Sequence, residues 1–316
     1  MEIHQLRYFV AVAEEGSFSR AAERMRVAQP SLSQQIQKLE QEIGQRLFDR
    51  LARGVTPTAA GAGLLPFARK ILNDLADARR CVEERLDMIG GTVTAGIIPT
   101  IAPYVLGPLL VDFEREYPQI AVRAVEDVTE NLIRLLEVGE IDVAVVSTCR
   151  SGAGLHRELW AREPLLVALP KEHRLAGRQR LSWRDLSKET LLTLQESHCL
   201  SRQISQWCRR HDVRLQKSLP LVQLSTVLAM VASHQGISLV PTLATSHESR
   251  PQCVFVALTG SAPTREINAV RNPARYQSKA CAAFVELGQR VVRRLVASAA
   301  QVMAARPSSH RKDAAE

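Results

Sequence analysis

The sequence predicts a winged helix-turn-helix continued by a long helix, and after it an α/β region that fills the rest of the chain. Three observations predict it. Behind Gln29-Pro30, the residues Leu32, Ile36, Leu39 and Ile43 recur at spacings of four and three, one buried stripe of a helix. From Leu64 to Ile89 one apolar stripe runs along a far longer stretch. Beyond Thr92 the texture becomes short apolar runs alternating with helical ones, the pattern of an α/β domain with mostly parallel sheets.

Taken in order, Leu6, Phe9, Val10 and Ala13 give a first helix that backs the pair behind it. Ser17 is placed to cap the next helix, near Ser19–Met25, which turns Ala21, Ala22 and Met25 inward. Small Ala21 and Ala22 let two helices cross steeply, as a helix-turn-helix demands. The following helix opens at Gln29-Pro30, where proline's missing N–H has no partner to lose. Its other face carries Ser31, Gln34, Gln35 and Lys38, side chains able to donate and accept at base edges. The plain alternative is a helical hairpin with a solvated amide face. In QRLFDRLARGVTPT, Arg50, Arg53 and Gly54 read as a basic wing whose arginines reach phosphate or minor groove. Thr56-Pro57 then starts a helix to about Met88, with Leu64, Ala68, Ile71, Leu75, Ala78, Val82, Leu86 and Ile89 as a coiled-coil seam that a second copy of the chain would cover. Gly90-Gly91 ends it as a hinge. Strands follow at TVTAGII, IAVRAVED, VAVVS, PLLVALP, LLTL, LPLVQ, GISLVPT, VFVAL and EINAVR, with helices near Tyr104–Tyr117 and Thr129–Val138.

The formal charge is +8, but residues 1–90 hold thirteen Lys/Arg against twelve Asp/Glu, a net of +1. A nucleic-acid reading therefore rests on placement: Arg20, Arg24, Arg26, Arg46, Arg50 and Arg53 crowd the helix pair and the segment after it. No apolar run approaches the ~20 residues that span a bilayer, and no signal peptide is visible, so a cytoplasmic protein without membrane contact is expected. Six cysteines without a CxxC exclude a disulfide scaffold and a common zinc-ribbon pattern.

LRYFVAVAEEGSFSRAAERM, then AQPSLSQQIQKLEQEIGQRLFDR, then GVTPTAAG closely resembles the N-terminal domain of LysR-type transcriptional regulators over residues 1 to about 90. One departure is Ala28, where the family usually carries a Ser cap. The resemblance implies a DNA-binding domain at 1–58, a linker and dimerisation helix with hinge at 59–91, and a two-lobed effector domain at 92–302 similar to periplasmic binding proteins. Lobe I would comprise 92–163 and 264–302, lobe II 164–263, with a disordered tail at 303–316. The residues expected to meet DNA are Gln29, Pro30, Ser31, Ser33, Gln34, Lys38, Arg50 and Arg53. The implied partners are double-stranded promoter DNA, a second copy or more of the chain, RNA polymerase, and a small effector.

Ligands of α/β folds bind at strand ends, and Thr100 and Thr129 each follow a strand and precede a helix, where each can also simply cap that helix. In LLTLQESHCLSRQISQWC, Cys199 sits where a helix begins; the helix field, with His198 alongside, favours the thiolate that peroxide oxidises. Spacing alone favours two buried thiols in a helix–strand layer. His198-Cys199-Leu200, Gln203 and Cys208, with Ile98-Pro99-Thr100 and Thr129, resemble the peroxide-sensing branch of the family, the OxyR regulators. That resemblance makes Cys199 the peroxidatic and Cys208 the resolving cysteine, joined on oxidation, with Thr100, Thr129 and His198 positioning hydrogen peroxide. Ser201-Arg202 stands where Arg-Asp is usual, and Ser218 where a histidine is common. On a helix the two cysteines are ~14 Å apart along the axis, beyond the ~7 Å between Cα atoms that a disulfide allows, so the helix must unwind.

The competing readings are a regulator of the same fold that binds a small organic anion with inert cysteines, and a metal sensor using His198, Cys199, Cys208 and His211. No GxGxxG, GxSxG or HExxH occurs, so neither an enzyme nor a resident cofactor or metal is expected.

Overall fold

The computed structural model describes residues 1–51, 54–83, 90–147, 154–214, 220–247, 252–260 and 262–304. The chain divides into two compact units. One holds residues 1–88 with the short segments 134–140 and 274–278, and the other holds the remainder.

The N-terminal unit begins with α1 (Ile3–Glu15), ended by Gly16 in the left-handed region. Helix α2 (Phe18–Met25) follows; Ser17 Oγ accepts from the Arg20 amide. Arg26, itself left-handed at φ 56°, makes the turn into α3 (Gln29–Ile43). Leu6, Phe9, Val12, Ala21, Ala22, Leu32, Ile36 and Leu39 form the core of this trio. Ile43, the last residue of the expected stripe, lies 40% exposed, because α3 has by then passed the end of its partners. Strands β1 (Phe48–Leu51) and β2 (Gly54–Pro57) pair antiparallel as a hairpin. Helix α4 spans Ala59–Glu83, with Pro66 inside it. It starts after Thr56-Pro57, not at it: those residues are paired in β2, and Thr58 Oγ accepts from the Gly61 amide to begin the helix. Gly61 has no substitute there, since a Cβ would fall 2.1 Å from the Leu47 carbonyl oxygen.

The expected seam on α4 is only partly free. Ala68 is buried in the unit's own core and Leu64 packs against it, so the first two seam positions serve this domain. Phe67, Ile71 and Val82 are left exposed at 67%, 39% and 64%. Leu86 and the C-terminal end of the expected helix lie outside the described residues, and Gly91 opens a strand instead of acting as a free hinge residue.

The second unit is built on β3 (Gly91–Ile97), α5 (Ala102–Glu116), β4 (Ile120–Glu126), the first half of α6 (Thr129–Val138), β5 (Val143–Ser147) and β6 (His156–Pro170). Then come β7 (Arg180–Leu181), α7 (Trp183–Leu186), β8 (Leu191–Leu192), α8 (Cys199–Arg210), α9 (Leu224–Ala232), β9 (Ile237–Pro241), α10 (Thr242–His247), β10 (Cys253–Leu258), β11 (Thr264–Arg271) and α11 (Lys279–Ala304). Strand β6 belongs to two layers. Its first half pairs with β11 in the order β4-β3-β5-β11-β6, and its second half pairs with β9 and β10. Pro164 of β6 faces Thr264 of β11, and from Leu165 onward the partners belong to the second layer. Strand β3 lies parallel to β4 and β5, so their C-terminal ends share one edge, the place where such sheets present residues to ligands. LPLVQ is not a strand among the described residues; it contributes a single bridge, Leu194 to Leu221, beside a proline that cannot donate to a ladder. Helix α11 runs two residues into the expected tail, and residues 305–316 lie outside the described ones.

Candidate functional site

Cys199 is the first residue of α8, with His198 as its cap residue. The thiol is 5% exposed. Thr129, the first residue of α6, donates its hydroxyl to Cys199 Sγ at 3.5 Å. The sulfur thus sits at the N-terminal end of one helix and receives a hydrogen bond from the start of another. Thr129 spends its hydroxyl on the thiol. Thr100, in the turn after β3, makes no side-chain cap for α5. Its hydroxyl and carbonyl oxygens each accept from Arg265, at 3.0 Å.

Arg265, which nothing in the sequence singles out, is the organising residue of this edge. It lies in β11, fully buried, and its Nε donates to Glu163 of β6 at 2.7 Å. Glu163 is equally buried and accepts from the Leu243 amide at 2.6 Å through its second oxygen. The pair ties the turn carrying Thr100 to the two strands that cross between the layers.

His198 is 4% exposed, and burial pushes its imidazole below the usual histidine range. Its Nε2 is buried and has no hydrogen-bond partner among the described residues. Such an atom can donate to, or accept from, a small polar molecule next to the thiol. The two departures at 201–202 are also accounted for. Ser201 is buried and donates to the Leu194 carbonyl at 2.6 Å, while Arg202 pairs with Glu130 at 2.6 Å, beside Thr129. An acidic residue at 202 would face Glu130 with like charge. Ser218 lies outside the described residues.

Cys208 is a free thiol near the other end of α8, 2% exposed, with burial pushing its pKa up to about 11. It continues the buried stripe of Leu200 and Ile204. Nine helical residues are two and a half turns, so Cys199 and Cys208 leave α8 on opposite sides, ~14 Å apart along its axis. His211 caps the helix and stacks its ring on Trp183. No three His, Cys, Asp or Glu side chains among the described residues converge as a metal site.

On the N-terminal unit, Gln29, Pro30, Ser31, Gln34 and Lys38 form the exposed face of α3, with Ser33 half-buried at its flank. Gln35 is not part of that face: its carbonyl oxygen accepts from Gln5 Nε2 at 3.2 Å, joining α3 to α1. Ala28 caps α3 with no side-chain bond. Of the expected basic cluster, Arg20 pairs with Glu15, and Arg24 with Glu14 and Glu15, so α1 neutralises both. The Arg50 backbone lies in β1; its side chain and all of Arg53 fall outside the described residues.

Residues 3–62 match the bacterial regulatory helix-turn-helix protein, lysR family, and residues 87–293 match the LysR substrate binding domain. The chain is 32% identical over 274 residues to a hydrogen peroxide-inducible genes activator of Dickeya chrysanthemi, covering 86% of this chain and 90% of that one. Among solved structures it is similar to a hydrogen-peroxide-bound Cys-to-Ser mutant of Corynebacterium glutamicum OxyR, at 34% identity, TM-score 0.64 and 95% of each chain. It is also similar to a full-length Cys-to-Asp OxyR from Pseudomonas aeruginosa, at 27% identity, TM-score 0.72, 93% of this chain and 98% of that one. The helix-turn-helix with its hairpin, the two-layered α/β unit and these matches together place the chain in the LysR family of transcriptional regulators.

Proposed function

We propose that this regulator binds promoter DNA through α3 and the hairpin arginines, and that hydrogen peroxide switches it through Cys199 and Cys208. Cys199 thiolate attacks one peroxide oxygen; the S–O bond forms, the O–O bond breaks, and the departing hydroxide takes a proton from solvent and leaves as water. Cys208 Sγ then attacks the sulfenic sulfur; the S–S bond forms, the S–O bond breaks, and a second water carries away the proton. Thr129 and the start of α8 hold the Cys199 sulfur, while Thr100, held by Arg265, and the His198 nitrogen orient peroxide. The relatives named for peroxide-inducible activation support the same reading. The observation that carries it is Cys199 at the first position of α8, accepting from Thr129, with Cys208 reduced on the far side of the same helix.

Closing that bond requires α8 to unwind, because its sulfurs begin ~14 Å apart along the helix axis. The second conformation is what the DNA-binding units read. Phe67, Ile71 and Val82 on α4 supply the apolar surface for pairing with a second copy, and a two-fold dimer presents two α3 helices to two half-sites. Footprinting on promoter fragments, before and after mild peroxide, tests the switch. The footprint changes for the unsubstituted chain and stays fixed for Cys199→Ser. A peroxide-dependent footprint that survives in Cys199→Ser overturns the assignment.

A further inference from the structure

We propose that Trp183 and His211 form a clasp that holds the Cys208 end of α8 in place and sets the rate of disulfide closure, making both of them positioning residues for the second chemical step. The inference rests on the peroxide-sensing reading above. The two rings are stacked, with centroids 4.4 Å apart and planes 6° from parallel. Each ring has a firm mount. Trp183 opens α7 between buried Leu181 and Leu186, and α7 is braced where Asp185 accepts from the Ser182 amide and hydroxyl at 2.7 and 2.8 Å. His211 lies three residues after Cys208, and its amide donates to the Cys208 carbonyl at 3.2 Å. The Val213 amide donates to that same carbonyl at 3.0 Å, across a left-handed Asp212 at φ 53°. While the rings stay stacked, the last turn of α8 cannot fray without breaking a ring contact as well as backbone bonds.

The two ends of α8 have different tasks. Its first turn must stay formed while peroxide reacts, since that turn and the Thr129 hydroxyl hold Cys199 Sγ in place. Its last turn plays no part in that step. It must open before Cys208, on the opposite side of the helix, can approach the sulfenic acid on Cys199. The clasp therefore delays closure without affecting oxidation, and lengthens the life of the sulfenic acid.

The test uses the full-length chain, quenched at intervals after a peroxide pulse, with Cys199 sulfenic acid trapped by dimedone in a Cys208→Ser background and the Cys199–Cys208 bond followed by peptide mass. In Trp183→Ala and His211→Ala, closure accelerates about three- to tenfold, the range an aromatic pair supports, while sulfenic acid forms at the unsubstituted rate. His211→Phe, which keeps a stacked ring, restores slow closure; His211 is exposed, so neither of its variants disturbs the core. Closure that is unchanged or slower in both alanine variants overturns the clasp, as does His211→Phe behaving like His211→Ala. If Cys199 in the unsubstituted chain does not oxidise at all, the sensing reading itself fails, and the clasp with it.

Discussion

Removing both partners of the Arg265–Glu163 pair should cost well below the sum of removing each alone. Both side chains have zero exposure. Replacing Arg265 by Met deletes the 2.7 Å bond to Glu163 and the two 3.0 Å bonds to Thr100, and leaves a buried carboxylate with only the Leu243 amide. An uncompensated buried charge of this kind costs about 3–5 kcal/mol. Glu163→Gln keeps the shape and the bond from Leu243 but leaves the guanidinium without its counter-charge, and falls in the same range. The double change Arg265→Met with Glu163→Met removes both charges, and costs less than the sum of the two single losses by about 2 kcal/mol or more. Urea denaturation of the full chain reads these as midpoint shifts at unchanged slope. Arg265→Met also releases Thr100, so Cys199 oxidation by peroxide slows in that variant. Two single losses under about 1 kcal/mol, or a double loss equal to their sum, refutes the coupling drawn from the geometry.

Gly61→Ala drives a methyl into the Leu47 carbonyl, separating α4 from the hairpin; overpacking of this order costs about 1–3 kcal/mol, and a thermal melt with a DNA titration detects both the lowered midpoint and the weakened binding. Ala28→Ser supplies the missing cap of α3 and stabilises the N-terminal unit by about 0.5–2 kcal/mol, read from the same melts. Cys208 carries a pH signature. Its thiol titrates at about 11 when folded and at about 8.5 in the unfolded chain, so the unfolded state binds fewer protons between those values and stability falls as pH rises through that window. Cys208→Ser flattens that part of the profile, and alkylation of native Cys208 in a Cys199→Ser background stays slow until pH approaches 11.

Much of this site is legible in the chain because it is local. Leu32, Ile36 and Leu39 declare the buried face of α3 by spacing alone, whereas Thr56-Pro57 looks like a helix start and is strand instead, the helix opening at Ala59. Cys199 reads correctly as a helix-opening thiol because His198-Cys199 ends one apolar run and precedes an amphipathic one. What the chain conceals depends on partners far away in sequence. Arg265 sits in a strand where an arginine reads as solvent-facing, and only the crossing of β6 and β11 brings Glu163 to it. His198 carries no mark in the sequence of its burial. Leu64 and Ala68 fit a dimer seam by period, yet the first helix claims them, a choice that packing makes and periodicity cannot. Trp183 and His211 meet only because α7 and the end of α8 fold together.

The most direct test of the redox switch is peptide mass spectrometry of the full chain after mild peroxide, with free thiols blocked before digestion. The account predicts a single dominant linked species joining Cys199 to Cys208, lost in Cys199→Ser and reversed by a dithiol reductant. Both cysteines recovered as blocked thiols after peroxide, or Cys199 joined to a different cysteine, contradicts it.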